Sequence, residues 1–286
     1  MRRCAFLTMD TLDDFVCDDE LAVEPLAELG WSVDFVPWRE TRWHWQTYDL
    51  VVIRSTWDYQ RSPDAFLAVL ASIEASGTRL ENPLSLVRWN LEKSYLRDLE
   101  ERGVPVVPTC WCDGVDEVEI LALFDRFRAR EIVLKPVIGA NADHAFRLRP
   151  DQIRATLPAL CRSYGKRPFL AQPFIERVVS EGEYSLFYFG GVLSHTILKT
   201  PKEADFRVQE EHGGIIRPVA ATAALSDAGA KAMAALRVTP LYGRVDLVRG
   251  ADGVFRVMEL ELIEPALYFR MDKGSARRFA NVLNGW

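Results

Sequence analysis

The sequence predicts an α/β fold assembled from compact α+β subdomains, and three observations carry that expectation. Short apolar runs alternate with helical stretches through the first third of the chain. The last third is dominated by strand-like runs with one alanine-rich helix. A length of 286 residues with 49% apolar and 27% charged content is enough for two or three packed units and excludes dominant disorder.

The elements follow in order. Arg3 to Met9 reads as a strand, Asp18 to Leu29 as a helix closed by Gly30, Trp31 to Val36 as a strand, and Tyr48 to Ile53 as a β-branched run, which together make a βαβ-type pattern. A helix from Pro63 to Ser76 stops at Gly77, and Asn82-Pro83 breaks the chain near the end of a first domain, residues 1–88. Asn90 suits the cap of a helix from Leu91 to Glu101, ended by Gly103 and followed by the extended Val104 to Pro108. Asp116 to Arg128 and Asp151 to Tyr164 read as helices around the strand Glu131 to Pro136, whose alternation puts Val133 and Lys135 on one face. This gives a central unit, residues 89–170. The strands Phe169 to Ile175 and Glu183 to Phe189, and a helix from Ser226 to Leu236 with Ser226 as its cap, lead into the last unit, residues 171–286.

A formal net charge of −6 argues against a general nucleic-acid or anionic-membrane binder, which needs a clustered basic excess. No apolar run approaches the roughly 20 residues of a membrane span. The start, Met1-Arg2-Arg3, soon meets Asp10, Asp13 and Asp14, so a cytoplasmic protein is expected. Five cysteines without framework spacing point to reduced thiols, and Cys110-Trp111-Cys112 lacks the second pair that would complete a zinc site. Oligomeric state is left open.

The chemistry concentrates near the C-terminus. Leu241 to Arg249 and Val254 to Leu262 flank Asp252-Gly253, the preferred composition of a two-residue type I′ turn. With that pair at the centre of the turn, Asp246 lies opposite Glu259, and period two adds Glu261 and Arg244 to the same face. Such a carboxylate cluster is either a solvated sheet surface or an oxygen-only site for Mg²⁺ or Mn²⁺.

Gly243-Arg244-Val245-Asp246, then Asp252-Gly253, then Met258-Glu259-Leu260-Glu261 before Pro265, resembles the C-terminal metal motif of ATP-grasp ligases. D-alanine:D-alanine ligases carry a similar Gly-Arg-Ile-Asp, turn, Glu-x-Asn arrangement, with asparagine where this chain has Glu261. The resemblance extends back over roughly 200 residues and implies an ATP-grasp fold behind an N-terminal pre-ATP-grasp domain. It implies that Lys93 and Lys135 bind ATP phosphates, that the loop Gly139 to His144 covers them, and that Gln172, Pro173, Phe174 and Ile175 form the adenine hinge. It gives Glu183 the ribose, with Lys199 accompanying the nucleotide, and two Mg²⁺ ions to Asp246, Glu259 and Glu261. Only seven lysines stand against 28 arginines, and two of the seven, Lys93 and Lys135, fall on the phosphate-binding positions.

Ile53-Arg54-Ser55-Thr56-Trp57-Asp58-Tyr59 and Glu259 to Tyr268 look most similar to the small ATP-grasp proteins typified by the cyclo-ligase of D-cycloserine biosynthesis, often called glutathione-synthetase-like. Arg54 and Asp58 are then either substrate residues or a structural ion pair at a strand end, and Glu264 belongs to the substrate side. Arg207 lies where related ribosomal-protein glutamate ligases carry a Phe-Arg-x-Asn segment near nucleotide and substrate, the bland alternative for it and Lys199 being a solvated loop charge; Arg54, Arg207 and Arg244 would grip the substrate carboxylate, and Arg244 would contact the transferring phosphoryl group. The implied reaction joins a carboxylate and an amine through an acyl phosphate, on an amino-acid-like substrate such as O-ureido-D-serine. Intermolecular peptide or amino-acid ligation, and a nucleotide-binding protein without activity, remain the alternatives. Walker, GxGxxG, kinase, GxSxG and HExxH signatures are all absent.

Overall fold

The computed structural model describes residues 1–13, 15–40, 43–139, 143–203 and 205–286. The chain runs β1 (Arg2–Thr8), α1 (Val23–Glu28), β2 (Trp31–Pro37), β3 (Leu50–Ser55), α2 (Pro63–Ala75), β4 (Arg79–Glu81), α3 (Leu84–Asn90) and α4 (Tyr95–Glu101). It continues through β5 (Cys110–Cys112), α5 (Glu117–Phe127), β6 (Ile132–Pro136), β7 (Phe146–Leu148), α6 (Ile153–Ser163), β8 (Phe169–Pro173) and α7 (Arg177–Ser180). The last segment holds β9 (Glu183–Phe189), β10 (Val192–Thr200), β11 (Ile215–Pro218), α8 (Ala223–Ala234), β12 (Tyr242–Arg249), β13 (Phe255–Glu261) and α9 (Ser275–Gly285).

Three sheets result. The first is parallel, in the order β2-β1-β3-β4, as the βαβ pattern requires. The second, β5-β8-β6-β7, and the third, β11-β10-β9-β12-β13, are antiparallel. Helix α4 lies in the expected central segment and α3 straddles its start at residue 89, yet Leu86, Tyr95, Leu96 and Leu99 pack on the third sheet, against Leu186, Val245, Leu247 and Leu260.

Two caps and one turn differ from expectation. Asn90 ends α3 rather than opening the next helix, which starts at Tyr95; its buried amide instead donates to the Leu260 carbonyl (2.8 Å) and accepts from the Leu262 N–H (2.8 Å). The cap of α8 is Thr222, accepting from the Leu225 N–H, so Ser226 lies inside the helix. The β12–β13 turn is a three-residue loop, Ala251 to Gly253, closed by Gly250 and Val254 and with Gly253 at φ +82°. This is a type I turn with a left-handed glycine, not type I′. It shifts the register by one beside the turn, where Arg249 faces Phe255. A bulge between Asp246 and Leu247 shifts it back, so Asp246 still faces Glu259 and Arg244 faces Glu261.

One face of the third sheet changes character along its strands, and that change positions the site. Phe187 and Phe189 of β9, Ile197 of β10 and Tyr242 of β12 enter an apolar cluster with Phe6, Leu26 and Val52 of the first unit and Phe279 of α9. Two to four residues along the same strands, that face carries Glu183, Ser185, Lys199, Arg244 and Asp246. The apolar half seals the first unit onto the sheet, leaving the charged half facing a cleft toward β6 and β8.

Candidate active site

The cleft is lined by Lys93, Lys135, Gln172 to Ile175, Glu183, Lys199, Arg207, Arg244, Asp246, Glu259, Glu261 and Glu264, so most of the residues singled out in the sequence converge. Val133 and Lys135 share the cleft-facing side of β6, while Ile132 and Leu134 pack inward.

Each sheet carboxylate meets a cation. Lys93 and Lys135 both approach Glu259 Oε1, at 3.3 and 3.5 Å. Lys199 Nζ lies 2.8 Å from Glu183 Oε1 and 3.3 Å from Asp246 Oδ1. Arg244 donates to both oxygens of Asp246 and to Glu261, standing between the two carboxylates. Ser185, which pairs with Asp246 in the β9–β12 ladder, donates its hydroxyl to the same carboxylate. Period two from Glu183 brings Ser185 to this face, a signal the sequence contained and the motif comparison passed over. Gly182 permits the close strand approach here: at φ +115°, a Cβ would lie 2.6 Å from the Lys199 carbonyl oxygen.

These partners set the protonation states. Burial opposes ionisation of Asp246, but Arg244 and Lys199 outweigh it and hold the carboxyl down to about 2. Glu259 is likewise lowered against burial, by Lys93 and then Lys135. For Glu261 the balance reverses: burial, with Asp246 and Glu259 adding to it against Arg244, pushes the carboxyl up to about 7. Burial, then Glu261, pushes Glu264 up to about 8.

Glu264 sits on a loop without regular structure whose carbonyls are each taken by a side chain. Asn82 Nδ2 donates to Leu262 (2.6 Å), the Tyr242 hydroxyl to Ile263 (2.8 Å), and Trp57 Nε1 to Glu264 (2.8 Å). Arg54 Nη2 donates to Pro265 (2.8 Å), Arg244 Nη1 to Ala266 (3.5 Å), and His195 Nε2 to Leu267 (2.9 Å). Burial lowers the His195 pKa to about 4, which keeps the ring neutral with its proton on Nε2 for this bond.

Two expected substrate residues are elsewhere. Arg54 is fully buried; its guanidinium binds Asp19 Oδ1 (3.0 Å) and the Pro265 carbonyl and lies over the Tyr242 ring, so it braces the loop from behind. Asp58 pairs with Arg39 and accepts from Trp38 Nε1 (2.7 Å), outside the cleft, and the Arg54–Asp58 pair does not form. Arg207 reaches the cleft wall while paired with Asp205 at 2.9 Å. Of the expected phosphate-covering loop, residues 140–142 lie outside the described residues; the Gly139 carbonyl accepts from Lys93 at 3.3 Å. The aromatic residues Phe15, Trp57, Tyr59, Tyr95 and Tyr268 complete the lining. Among the described residues no helix is long and apolar enough to cross a membrane, and the cysteines described are free thiols.

The raised Glu264 carboxyl has a stability consequence. Its folded-state pKa lies above the ordinary value of 4.5, so its contribution is present in full below about pH 4.5 and is lost as pH rises through about 8. Glu264→Gln is expected to be the more stable protein at pH 8, by on the order of 2–4 kcal/mol, and the difference should shrink toward pH 5. Urea unfolding at both pH values checks this; parallel pH profiles would refute it.

Known proteins share this architecture and sequence. Residues 4–82 match the family described as D-cycloserine synthetase DcsG, N-terminal domain. The chain is 34% identical to the cycloserine biosynthesis protein DcsG of Streptomyces lavendulae over 91% of each chain. The crystal structure of D-cycloserine synthetase DcsG superposes with a TM-score of 0.86 at 30% identity, covering 99% of both chains. D-alanine–D-alanine ligase from Bacillus anthracis shares the fold at a TM-score of 0.68 and 14% identity, covering 99% of this chain and 95% of that one. Fold and cleft therefore define an ATP-grasp ligase. Within that class the chain belongs to the DcsG family.

Proposed function

We propose that this ligase activates a substrate carboxylate with ATP as an acyl phosphate and closes a ring by attack of a side-chain nitrogen of the same molecule, the oxygen-bound ureido nitrogen in an amino-acid derivative of the O-ureido-D-serine type. ATP's γ-phosphoryl group passes to the carboxylate, releasing ADP, and the ring-closing nitrogen then displaces phosphate, giving up its proton as the amide forms. The observation that carries the reading is the meeting of Lys93 and Lys135, from separate elements, at Glu259. Two cations converging on a carboxylate in a cleft suit phosphates bound through a shared divalent ion. Similarity to the cycloserine biosynthesis protein supports ring closure over joining two molecules.

The residues fit the nucleotide and the metal. Gln172 donates to Thr109 Oγ1 (3.0 Å) and keeps a buried Oε1 without a partner among the described residues, an acceptor suited to an exocyclic amine beside the Phe174–Ile175 hinge. Asp246, Glu259 and Glu261 offer oxygen donors alone, the set a hard divalent cation takes. Among the described residues no three such groups stand as a ready-made metal nest, because Arg244 occupies the space between Asp246 and Glu261. Two Mg²⁺ ions would neutralise the charge on the phosphates during transfer. Arg244 would follow the transferring group, Lys199 holds Glu183 and Asp246 in position, and Arg207 lines the same cleft. In this reading residues 89–170 and 171–286 enclose the nucleotide and residues 1–88 close the substrate end.

The test incubates the protein with Mg²⁺, ATP and O-ureido-D-serine or other amino acids. Equal release of ADP and phosphate, with a product lighter than its substrate by one water, is expected. A product joining two molecules overturns ring closure, and a stable phosphorylated product overturns ligation.

A further inference from the structure

We infer that Glu264 is the receptor for a substrate ammonium group, so that the amino-acid substrate enters the cleft as a free zwitterion with its α-amine unblocked. The inference rests on the ligase reading above and makes its substrate class specific.

Four observations carry it. Glu264 is 8% exposed and lines the cleft. Glu183, Asp246, Glu259 and Glu261 each have a lysine or arginine within ion-pair distance, whereas no cation lies within that distance of the Glu264 carboxylate among the described residues. A buried carboxylate left this way is costly unless a cation arrives to meet it. The loop that carries it is fixed by a donor on every carbonyl from Leu262 to Leu267, so the carboxylate is held in position before a ligand arrives. Finally, Phe15, Trp57 and Tyr59 form the wall of the first unit on this side of the cleft, and aromatic faces favour an ammonium over a neutral amide.

The depth of Glu264 favours a compact cation over a guanidinium. A receptor for the α-ammonium selects a free amino acid and disfavours an N-acylated or peptide-embedded one.

The experiment is calorimetric titration of the full-length protein, in Mg²⁺ and a non-hydrolysable ATP analogue, with O-ureidoserine and with N-acetyl-O-ureidoserine. The parent is expected to bind the free amine at least tenfold more tightly than the acetylated form. Glu264→Gln should lose that preference, with nucleotide affinity within twofold of the parent; melting temperature reports that the variant is folded, and Glu264→Asp should recover part of the preference. A variant that keeps the full preference overturns the inference, as does one in which the Mg²⁺ dependence of nucleotide binding shifts instead, since Glu264 would then serve the metal. A parent that binds the nucleotide but neither probe overturns the substrate class alone. A parent that fails to bind the nucleotide overturns the ligase reading with it.

Discussion

Replacing Glu259 with glutamine is expected to lower Mg²⁺-dependent turnover by on the order of 10²–10³-fold while leaving the protein folded. The carboxylate is the common partner of Lys93 and Lys135, and its neutral isostere keeps the shape but gives up the charge. Two consequences separate this from a packing defect. Removing one negative charge leaves both lysines free for an anion, so binding of Mg²⁺-free ATP should tighten in the variant. Binding that depends on Mg²⁺ should weaken at the same time. Phosphate release and nucleotide titrations with and without Mg²⁺ check both; a variant with near-normal Mg²⁺-dependent turnover would remove Glu259 from the proposed metal site.

Arg54→Ala acts on the fold. It leaves the Asp19 carboxylate buried, with one oxygen already unpartnered, and uncovers the Pro265 carbonyl. Breaking a buried pair from one side costs about 3–5 kcal/mol, far more than the pair contributes over an apolar replacement. The double change Arg54→Met with Asp19→Leu should therefore recover much of the loss, and the ATP KM of both proteins should remain near the parent's. Urea midpoints give the answer; a loss below about 1 kcal/mol for Arg54→Ala would show the pair to be dispensable.

Local patterns were legible in the sequence and long-range partners were not. Alternation in β6 placed Lys135 toward the cleft because a strand's side-chain period is fixed by backbone geometry. The Asp246–Glu259 pairing followed from counting back from Asp252-Gly253, although the turn has three residues instead of two. A bulge at Met258 of β13 cancels the extra residue, and nothing in the amino-acid pattern of that strand announces it. Arg54 illustrates the opposite case. Asp58 is its near neighbour in the chain, but its partner is Asp19, 35 residues away, brought there by the first sheet and the segment before α1. Asn82, Asn90 and His195 carry no motif, and their roles appear only once the loop they bind is folded.

The brackets on the 262–267 loop bear on how such proteins can be recombined. Three of its donors, Asn82, Trp57 and Arg54, come from the first unit, and three, Tyr242, Arg244 and His195, from the third sheet. Neither half can shape the loop by itself, so the end of the cleft proposed to take the substrate is shared property of two segments far apart in the chain. Exchanging the first unit for that of a relative with a different substrate would transplant half of a scaffold and strand the other half. Specificity in this architecture is therefore inherited by the pair of units together, and grafting would succeed only when Arg54, Trp57 and Asn82 travel with the loop they hold.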